Sequence, residues 1–441
     1  MSQIQDQHSA SAELPPLAPE QFDVGSTEDS LERLVAAAEH CGDVFRIRAP
    51  GRRSDTWIIN NPADIKRVLV SNHRNYTKGV GLDRVKILLG NGIMTSEGEL
   101  WRRQRRMIQP MFHRRVTEGF GPLIERCVDA CLARWQEFAA RGAPIDVTEE
   151  MSALTLDIIL QAIFGRDLEW LTARTGSNPF AIVAEHASRD LQFAYKFRSL
   201  TRLVGELVAR RRDAAEERED FLAMLIGARD KEHGAPMPDR ELIDEVMTLV
   251  VAGHETSAAA LNWTWYLLAT HPAAYARLTA ELDATPDRSG MSFADAEALR
   301  YTQAVIKEAL RLYPPGWLLT RRTIGPDTLS GYRAPAGTDV MLSPYLIQRH
   351  PAHWEQPGEF RPERFLDAAV DPRERWIYIP FAAGPRHCVG ENFAMYEMTV
   401  HVSRVARRWQ LEYIDDGPIG VAAAINLRTS RGLRLRLRPR H

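Results

Sequence analysis

Cys388 is the residue whose type and setting allow the most specific chemistry in this chain. It lies in the segment 381–390, Phe-Ala-Ala-Gly-Pro-Arg-His-Cys-Val-Gly. Pro385 excludes a regular helix through this segment. Gly384 and Gly390 flank the cysteine and let the backbone come close to a flat or bulky group. The segment is therefore predicted to be a loop that presents a thiol to such a group.

A helix is predicted directly after this loop, because residues 391–408 have apolar side chains at helical spacing. Cys388 then lies just before a helix N-terminus and two residues after Arg386. Unpaired amide donors, the helix dipole and the cation all favour the thiolate. A thiolate in an apolar loop suits a soft metal with one open side, and haem iron is the obvious candidate. The alternative for a lone cysteine is a buried structural residue.

A second group of reactive residues lies in residues 252–256, Ala-Gly-His-Glu-Thr. The pattern predicts that residues 239–271 form one helix, roughly 48 Å long, so these residues lie near its middle. Gly253 costs about 1 kcal/mol relative to alanine there, and room for a small ligand is one reason for it. Glu255 beside Thr256 could relay protons into that space. The alternative is a helix bent by the threonine, with the glutamate on the surface.

Two further patterns involve paired charges. Trp101 and Arg105 share one helix face at i,i+4 and could hold a pair of carboxylates, although a solvated basic face is the alternative. Glu308 and Arg311 form a Glu-x-x-Arg pair, which is weak evidence alone because such pairs occur on many helices. Its position, about fifty residues before the Pro-Glu-Arg-Phe segment that contains Arg364, makes it more specific.

These motifs, in this order, resemble those of the cytochromes P450. Phe-x-x-Gly-x-Arg-x-Cys-x-Gly is similar to the haem-binding signature of that family, and residues 252–256 to its oxygen-activation motif. Trp-x-x-x-Arg and the Glu-x-x-Arg pair with Pro-Glu-Arg-Phe resemble two others. The resemblance implies a cytochrome P450 fold, mainly α with a smaller β region. Residues 1–25 are expected to be a flexible arm and residues 26–441 a single domain.

The resemblance also implies the site. Haem b would be the cofactor, with Cys388 as the axial ligand of its iron. Glu255 and Thr256 would be catalytic, while Glu308, Arg311 and Arg364 would form a buried structural network. Arg322 would face away from Arg321 on a strand. The expected cofactor-binding residues are Trp101, Arg105, Ala252, Gly253, Arg321, Phe381, Gly384, Arg386 and Gly390.

The reaction follows from this implied site. A thiolate pushes electron density onto iron and favours O–O cleavage. Cleavage also needs two protons, which Glu255 and Thr256 would deliver. The expected activity is a monooxygenase of secondary metabolism that inserts one atom of O2 into a lipophilic small molecule of terpenoid, fatty acyl or polyketide type. Epoxidation, desaturation or coupling remain alternatives, as does a haem-thiolate sensor, which has no need of the acid and the alcohol.

Composition limits the other functions. The chain has 441 residues and a net charge of −2, which gives no case for a nucleic-acid partner. Its four cysteines suit a reducing compartment, and Cys127 and Cys131 are expected to be buried apolar residues rather than half a metal site. No segment approaches the ~20 apolar residues of a membrane span, so a cytoplasmic protein is expected. The expected oligomeric state is a monomer.

Electrons are expected to come from NAD(P)H through a separate ferredoxin or flavodoxin with its reductase. A basic surface would steer that acidic partner, with an ordinary solvated surface as the alternative. Its expected members are Arg102, Arg103, Arg106, Arg114, Arg115, Arg404, Arg407 and Arg408.

Three local patterns complete the expectations. Residues 44–47 and 56–59 are predicted to form a hairpin. The charged residues 210–220 are predicted to be an exposed helix end, and residues 427–437 to end in an edge strand.

Overall fold

Helices make up most of the chain, and the β-strands are short. The computed structural model describes residues 14–440 except 26, 28, 53, 185–190, 215–217, 288 and 367–375. The architecture is mainly α with a smaller β region, as predicted.

The helices occur along the whole described chain. They are α1 (Ser30–Cys41), α2 (Pro62–Lys66), α3 (Leu82–Leu89), α4 (Gly98–Ile108), α5 (Arg114–Gly119), α6 (Gly121–Ala140), α7 (Val147–Phe164), α8 (Asp167–Thr175), α9 (Ala181–Ala184), α10 (Leu191–Ala214), α11 (Phe221–Gly227), α12 (Asp239–Thr270), α13 (Pro272–Asp283), α14 (Phe293–Ala298), α15 (Arg300–Leu312), α16 (Pro344–Ile347) and α17 (Glu391–Arg408).

The strands form four small sheets. They are β1 (Val44–Ile47), β2 (Thr56–Ile59), β3 (Tyr76–Lys78), β4 (Ile145–Asp146), β5 (Leu319–Thr323), β6 (Asp327–Leu329), β7 (Tyr332–Ala334), β8 (Asp339–Leu342), β9 (Trp409–Tyr413), β10 (Val421–Ala423), β11 (Leu427–Thr429) and β12 (Arg434–Pro439). The largest sheet has the order β1-β2-β8-β5-β3, in which only β2 and β8 run parallel. The others are β4-β12-β9, β6-β7 and β10-β11.

Helix α12 is the longest helix and positions one side of the site. Pro238, which has an extended backbone, is the N-cap of α12, and Pro272 follows its C-cap. These two prolines explain why the observed ends of α12 lie within one residue of the predicted ends. Most of its length is buried because α7, α15 and α17 pack around it. Gly253 has a structural cause here: a Cβ at this position would come within 2.8 Å of Ile159 Cδ1 on α7. The glycine thus permits close packing of two helices, which differs from the expected room for a ligand.

Helix α17 follows the Cys388 loop and positions the other side. A short 3-10 turn, Gly384–Arg386, precedes the cysteine, and α17 then packs against α6, α12 and α15. Its buried residues join the largest apolar core, together with Cys127 and Cys131 of α6, which are buried as expected. The loop is therefore continuous with a helix that packs into the core.

Three sequence-based expectations need correction. Of the predicted flexible arm, residues 1–13 lie outside the described residues, but Ala18 and Phe22 are buried in a core beside the largest sheet, and the Ala18 amide donates to the Arg46 carbonyl. Residues 210–214 form the end of α10, with Arg210 and Asp213 exposed as predicted, and residues 215–217 lie outside the described residues, but Arg211 is buried between Asp167 and Asp220, whose carboxylates compensate its charge. Strand β12 is the central strand of its sheet, not an edge, since β4 and β9 flank it. The predicted hairpin is present as β1 and β2.

Among the described helices, none is long and apolar enough to cross a lipid bilayer.

Candidate active site

The Cys388 loop is fixed by its own backbone. The Cys388 amide donates to the Phe381 carbonyl over 3.0 Å, and the His387 amide donates to the Gly384 carbonyl over 3.0 Å. Gly384 has φ +71°, and a Cβ there would overlap the Leu69 carbonyl oxygen, so this position requires glycine. At Gly390 a Cβ would lie 3.9 Å from Cys388 Sγ, an ordinary contact. Of these two glycines, only Gly384 is required by the packing of the protein itself.

The electrostatic environment of Cys388 differs from the expectation. Burial among protein atoms raises the pKa of the thiol, although the side chain keeps accessible surface. The amide groups of Gly390 and Glu391 and the charge of Arg105 lower the pKa, but they do not outweigh burial. Arg386 does not act as predicted, because its guanidinium binds Glu97. The protein alone therefore does not favour the thiolate, and a bound metal ion would supply the missing stabilisation.

Arg386 and Arg105 connect this loop to the region of α4. Arg386 donates to the Ser96 carbonyl over 2.8 Å and to Glu97 Oε2 over 2.6 Å, and its guanidinium lies 4.0 Å from the ring centroid of Trp101. Arg105 donates to the His387 carbonyl over 2.6 Å. The structure thus brings together three of the expected cofactor-binding residues, namely Trp101, Arg105 and Arg386. Trp101 contacts Arg386, and Arg105 contacts the backbone of the loop.

Lys78 joins this group from strand β3. In the antiparallel pairing of β3 and β5, Lys78 lies directly opposite Arg321. Burial, followed by the charges of Arg321 and Arg386, lowers the pKa of Lys78 to about 7, while the charge of Glu97 opposes this shift. Burial, with Arg386 as a second cause, lowers the pKa of Arg321 to about 10, so that Arg321 stays charged at neutral pH. Arg322 instead pairs with Asp339 and faces away, as expected.

These residues fit a haem group. Four basic side chains, Lys78, Arg105, Arg321 and Arg386, lie around the loop, and among the described residues Glu97 is the carboxylate that pairs with Arg386 and accepts a hydrogen bond from the Lys78 amide. Like charges directly opposite each other in a sheet are destabilising, and a buried excess of cations calls for anions. The two carboxylates of haem b would neutralise this excess while its iron met the thiol of Cys388.

The central segment of α12 carries the expected acid and alcohol. The Thr256 hydroxyl donates to the Ala252 carbonyl over 2.8 Å, yet α12 continues without interruption through this point. Glu255 accepts a hydrogen bond from Asn426 Nδ2 over 2.8 Å and forms an ion pair with Arg428 over 2.9 Å. Its side chain is only 10% exposed, so it is not the surface glutamate of the alternative interpretation.

The structure also brings together the expected structural network. Arg311 and Glu308 are fully buried and form two hydrogen bonds, of 2.7 and 2.8 Å. Arg364 Nε donates to Glu308 over 3.2 Å. Arg311 also donates to the carbonyls of Gln348, Pro357 and Glu359, and so ties α15 to the segment before the Cys388 loop.

The expected basic surface is largely neutralised within the chain. Its arginines on α4 pair with carboxylates of the same helix or of neighbouring helices and loops, as Arg103 does with Glu241. The other pairs are Arg102 with Glu99, Arg106 with Glu232, Arg114 with Glu297, Arg404 with Asp129, Arg407 with Asp287 and Arg408 with Asp129. A surface of paired charges steers an acidic partner weakly, so the expected strong steering is not supported.

Sequence reasoning missed four residues of this site, namely Lys78, Glu97, Asn426 and Arg428. Lys78 ends a short strand and Glu97 precedes α4 as its N-cap, positions that look structural in the sequence. Asn426 and Arg428 reach Glu255 from more than 170 residues away in the chain. Only the tertiary fold shows these contacts.

Comparison with known proteins agrees with this geometry. The family model described as "Cytochrome P450" matches residues 14–185 and 177–421. The chain belongs to the cytochrome P450 family. This P450 is 35% identical to cyclooctatin synthase of Streptomyces melanosporofaciens, over 93% of this chain and 91% of that protein. It is 31% identical to pentalenene oxygenase of Streptomyces avermitilis, over 90% and 91% of the two chains.

A third relative is cyclooctat-9-en-7-ol 5-monooxygenase of Streptomyces melanosporofaciens, 30% identical over 86% of this chain and 85% of that protein. Membership of the family makes this P450 an oxidoreductase with a cysteine-ligated haem iron that uses O2, a small-molecule substrate and a redox partner. It is a monooxygenase, as the sequence motifs predicted.

Proposed function

We propose that this P450 hydroxylates a terpenoid at an unactivated C–H bond, with Cys388 as the ligand of the haem iron. The observation that carries the proposal is the Cys388 loop, in which a thiol meets two backbone amides beside a cluster of basic side chains, of which Arg321 is buried and the others are partly buried. The compounds in the names of two relatives, cyclooctat-9-en-7-ol and pentalenene, are terpenoids. Fatty acyl and polyketide substrates have no comparable support.

The residues around the loop have separate tasks. When bound, the haem supplies an iron centre that binds and activates O2. Cys388 would hold the iron, and Phe381 and Gly384 would keep the loop in place through the backbone contacts described above. The haem carboxylates would be held by Lys78, Trp101, Arg105, Arg321 and Arg386.

The acid and the alcohol of α12 would manage protons. Overall, insertion of one oxygen atom from O2 consumes two protons and two electrons, and the second oxygen atom leaves as water. The Thr256 hydroxyl, fixed by its bond to the Ala252 carbonyl, would order the last donor on the oxygen side. Glu255 would supply protons to it from the other face of the helix.

The electron source is the remaining part of the proposal. NAD(P)H would reduce a ferredoxin or flavodoxin through its reductase, and that small protein would reduce a monomer of this P450. Because the arginines near α4 and α17 are mostly paired, complementary shape and local contacts would contribute more to this encounter than long-range steering.

The test is turnover with isotopically labelled O2 and surrogate ferredoxin and reductase, on a panel of terpene hydrocarbons, fatty acids and polyketides. We expect binding shifts in the haem spectrum and one labelled oxygen atom per product with terpenes. Cys388→Ser is the control and should lose the thiolate signature of the reduced CO complex. A product without label, or a wild-type spectrum in Cys388→Ser, would contradict the proposal.

A further inference from the structure

Glu97 is an acidic residue placed among the basic side chains around the Cys388 loop. It occupies the N-cap position of α4 with an extended backbone, but its side chain accepts no hydrogen bond from the first turn of that helix. Glutamate is also not among the residues preferred at an N-cap, where a shorter side chain reaches the free amides. The carboxylate of Glu97 is therefore directed to partners outside α4.

The two oxygen atoms of this carboxylate contact two different segments of the chain. The amide of Lys78, at the end of β3, donates to Glu97 Oε1 over 2.6 Å. Arg386 Nη2, in the Cys388 loop, donates to Glu97 Oε2 over 2.6 Å. The Glu97 side chain is 36% exposed and that of Arg386 only 15%. One carboxylate thus joins β3, the start of α4 and the loop that presents the thiol.

Arg386 is held by the protein itself. Its Nη1 donates to the Ser96 carbonyl over 2.8 Å, and its guanidinium carbon lies 4.0 Å from the ring centroid of Trp101. Because Ser96 and Glu97 engage both terminal nitrogen atoms, Arg386 already has a partner for its charge. Lys78 and Arg321 are within range of the charge of Glu97 but form no ion pair with it. They therefore offer the uncompensated positive charge of the group.

The charge of Glu97 acts on the whole basic group. Burial is the main cause that lowers the pKa of three basic side chains near Glu97, and the negative charge of Glu97 opposes the lowering at each of them. They are Lys78, Arg321 and Arg386. The same charge would act on a haem held by these side chains. A fixed anion near a haem stabilises the oxidised iron, which carries one more positive charge than the reduced iron.

We propose that Glu97 is a positioning residue with an electrostatic role: it holds Arg386, and its charge lowers the reduction potential of the bound haem. The inference rests on the proposed function, which supplies the haem. A lower potential reduces the driving force for electron transfer from the redox partner. In the haem-free protein, the same carboxylate is the counter-charge that limits repulsion among the basic side chains.

The first test is the midpoint potential of the substrate-free holoenzyme, measured by stepwise electrochemical reduction while the haem spectrum is recorded. Glu97→Gln removes the charge at nearly the same side-chain size. At the wild-type midpoint potential, we expect the ratio of reduced to oxidised haem to rise about five-fold in this variant, which is about 40 mV for a one-electron couple. Glu99→Gln makes the same change of charge at an exposed pair with Arg102 and is the matched control.

The second test compares the protein without and with haem. In Glu97→Gln the basic side chains lose their counter-charge, so we expect a lower melting temperature of the haem-free protein. The haem carboxylates should then be held more strongly, so haem transfer to an acceptor protein should slow about three-fold. If Glu97 only anchors the loop through Arg386, haem-free stability and haem retention should instead fall together. That result would overturn the electrostatic role.

A second variant separates charge from side-chain length. Glu97→Asp keeps the charge on a side chain too short to span both partners, and its midpoint potential should stay near that of the wild type. A potential displaced in Glu97→Asp as in Glu97→Gln would overturn the proposal, as would equal potentials in Glu97→Gln and the wild type, or equal shifts in Glu97→Gln and Glu99→Gln. A wild-type protein without the thiolate signature in its reduced CO complex would instead refute the proposed function.

Discussion

Lys78 and Arg321 lie directly opposite each other in the antiparallel pair of β3 and β5. A cross-strand pair of like charges is unfavourable, and burial increases its cost. The sheet tolerates it although Gly79, beside Lys78, brings the two strands so close that a Cβ would lie 2.6 Å from the Arg321 amide nitrogen. This arrangement is unfavourable for the protein alone and would become favourable if an anion bound between the strands and the Cys388 loop.

Replacement of Lys78 by methionine should therefore have opposite effects with and without haem. The pKa of Lys78 is lowered to about 7. In the unfolded chain Lys78 keeps its proton up to about pH 10, whereas in the folded protein it loses the proton near pH 7. The haem-free protein should therefore gain stability as the pH rises from about 7 to about 10. The Lys78→Met variant lacks the titrating group, so it should already be stable at the lower pH and should gain no further stability as the pH rises. The holoenzyme of this variant should release haem faster than the wild type.

The measurement is thermal unfolding of haem-free protein across that pH range, together with haem transfer to an acceptor protein. Lys231→Met, at an exposed loop position, is the control and should retain the wild-type pH dependence. The same pH dependence in Lys78→Met would show that Lys78 is not the group that titrates.

The two glycines that flank Cys388 should respond differently to alanine. Gly384→Ala forces a left-handed backbone on an L-residue, at roughly 1–2 kcal/mol, and its Cβ would overlap the Leu69 carbonyl. Gly390→Ala meets only ordinary contacts. We expect Gly384→Ala to lose most of its haem and Gly390→Ala to retain it. Haem content and the reduced CO spectrum measure both, and equal loss in the two variants would contradict this assignment.

The sequence predicted the architecture and the Cys388 loop well because these depend on local information. Helix α12 ends at prolines, and the motif residues lie at fixed spacings, so periodicity and turn chemistry located them. Gly253 was assigned to the ligand side because a sequence does not tell which neighbour faces a helical glycine, and the structure shows Ile159 there.

Long-range electrostatics could not be predicted in the same way. Arg211 and the arginines around α4 look like solvated charges in the sequence, but carboxylates distant in the chain neutralise them. The thiol of Cys388 looked activated because its cation is near in sequence, whereas burial dominates its pKa in the fold. Charge balance depends on which segments meet, and no local pattern records that.

The buried pair of Glu308 and Arg311 should be among the most sensitive positions outside the active site. Glu308→Gln leaves the guanidinium of a fully buried arginine without its counter-charge, which costs about 3–5 kcal/mol. Glu363→Gln breaks an exposed pair with Arg277 and should cost less than about 1 kcal/mol. Denaturant unfolding of the two holoenzymes checks this difference, and similar stabilities would show that the network is not a structural support.

Thr256→Ala should uncouple electron use from oxygenation. The hydroxyl donates to the Ala252 carbonyl, and without it the oxygen side of α12 lacks an ordered donor, so reducing equivalents should be lost as hydrogen peroxide. Substrate affinity and haem content should hardly change. NAD(P)H consumed, peroxide released and product formed are measured in one assay with surrogate reductases.

A second threonine of the same helix separates chemistry from helix geometry. Thr264 makes the same type of bond, from its hydroxyl to the Ala260 carbonyl over 2.7 Å, and is fully buried. If Thr256 only shapes the helix, as back-bonded threonines can, Thr256→Ala and Thr264→Ala should both change stability and leave coupling intact. If its hydroxyl orders the proton donor, only Thr256→Ala should release peroxide. Coupled turnover in Thr256→Ala would remove this residue from oxygen activation and favour the peroxygenase or sensor interpretation of the site.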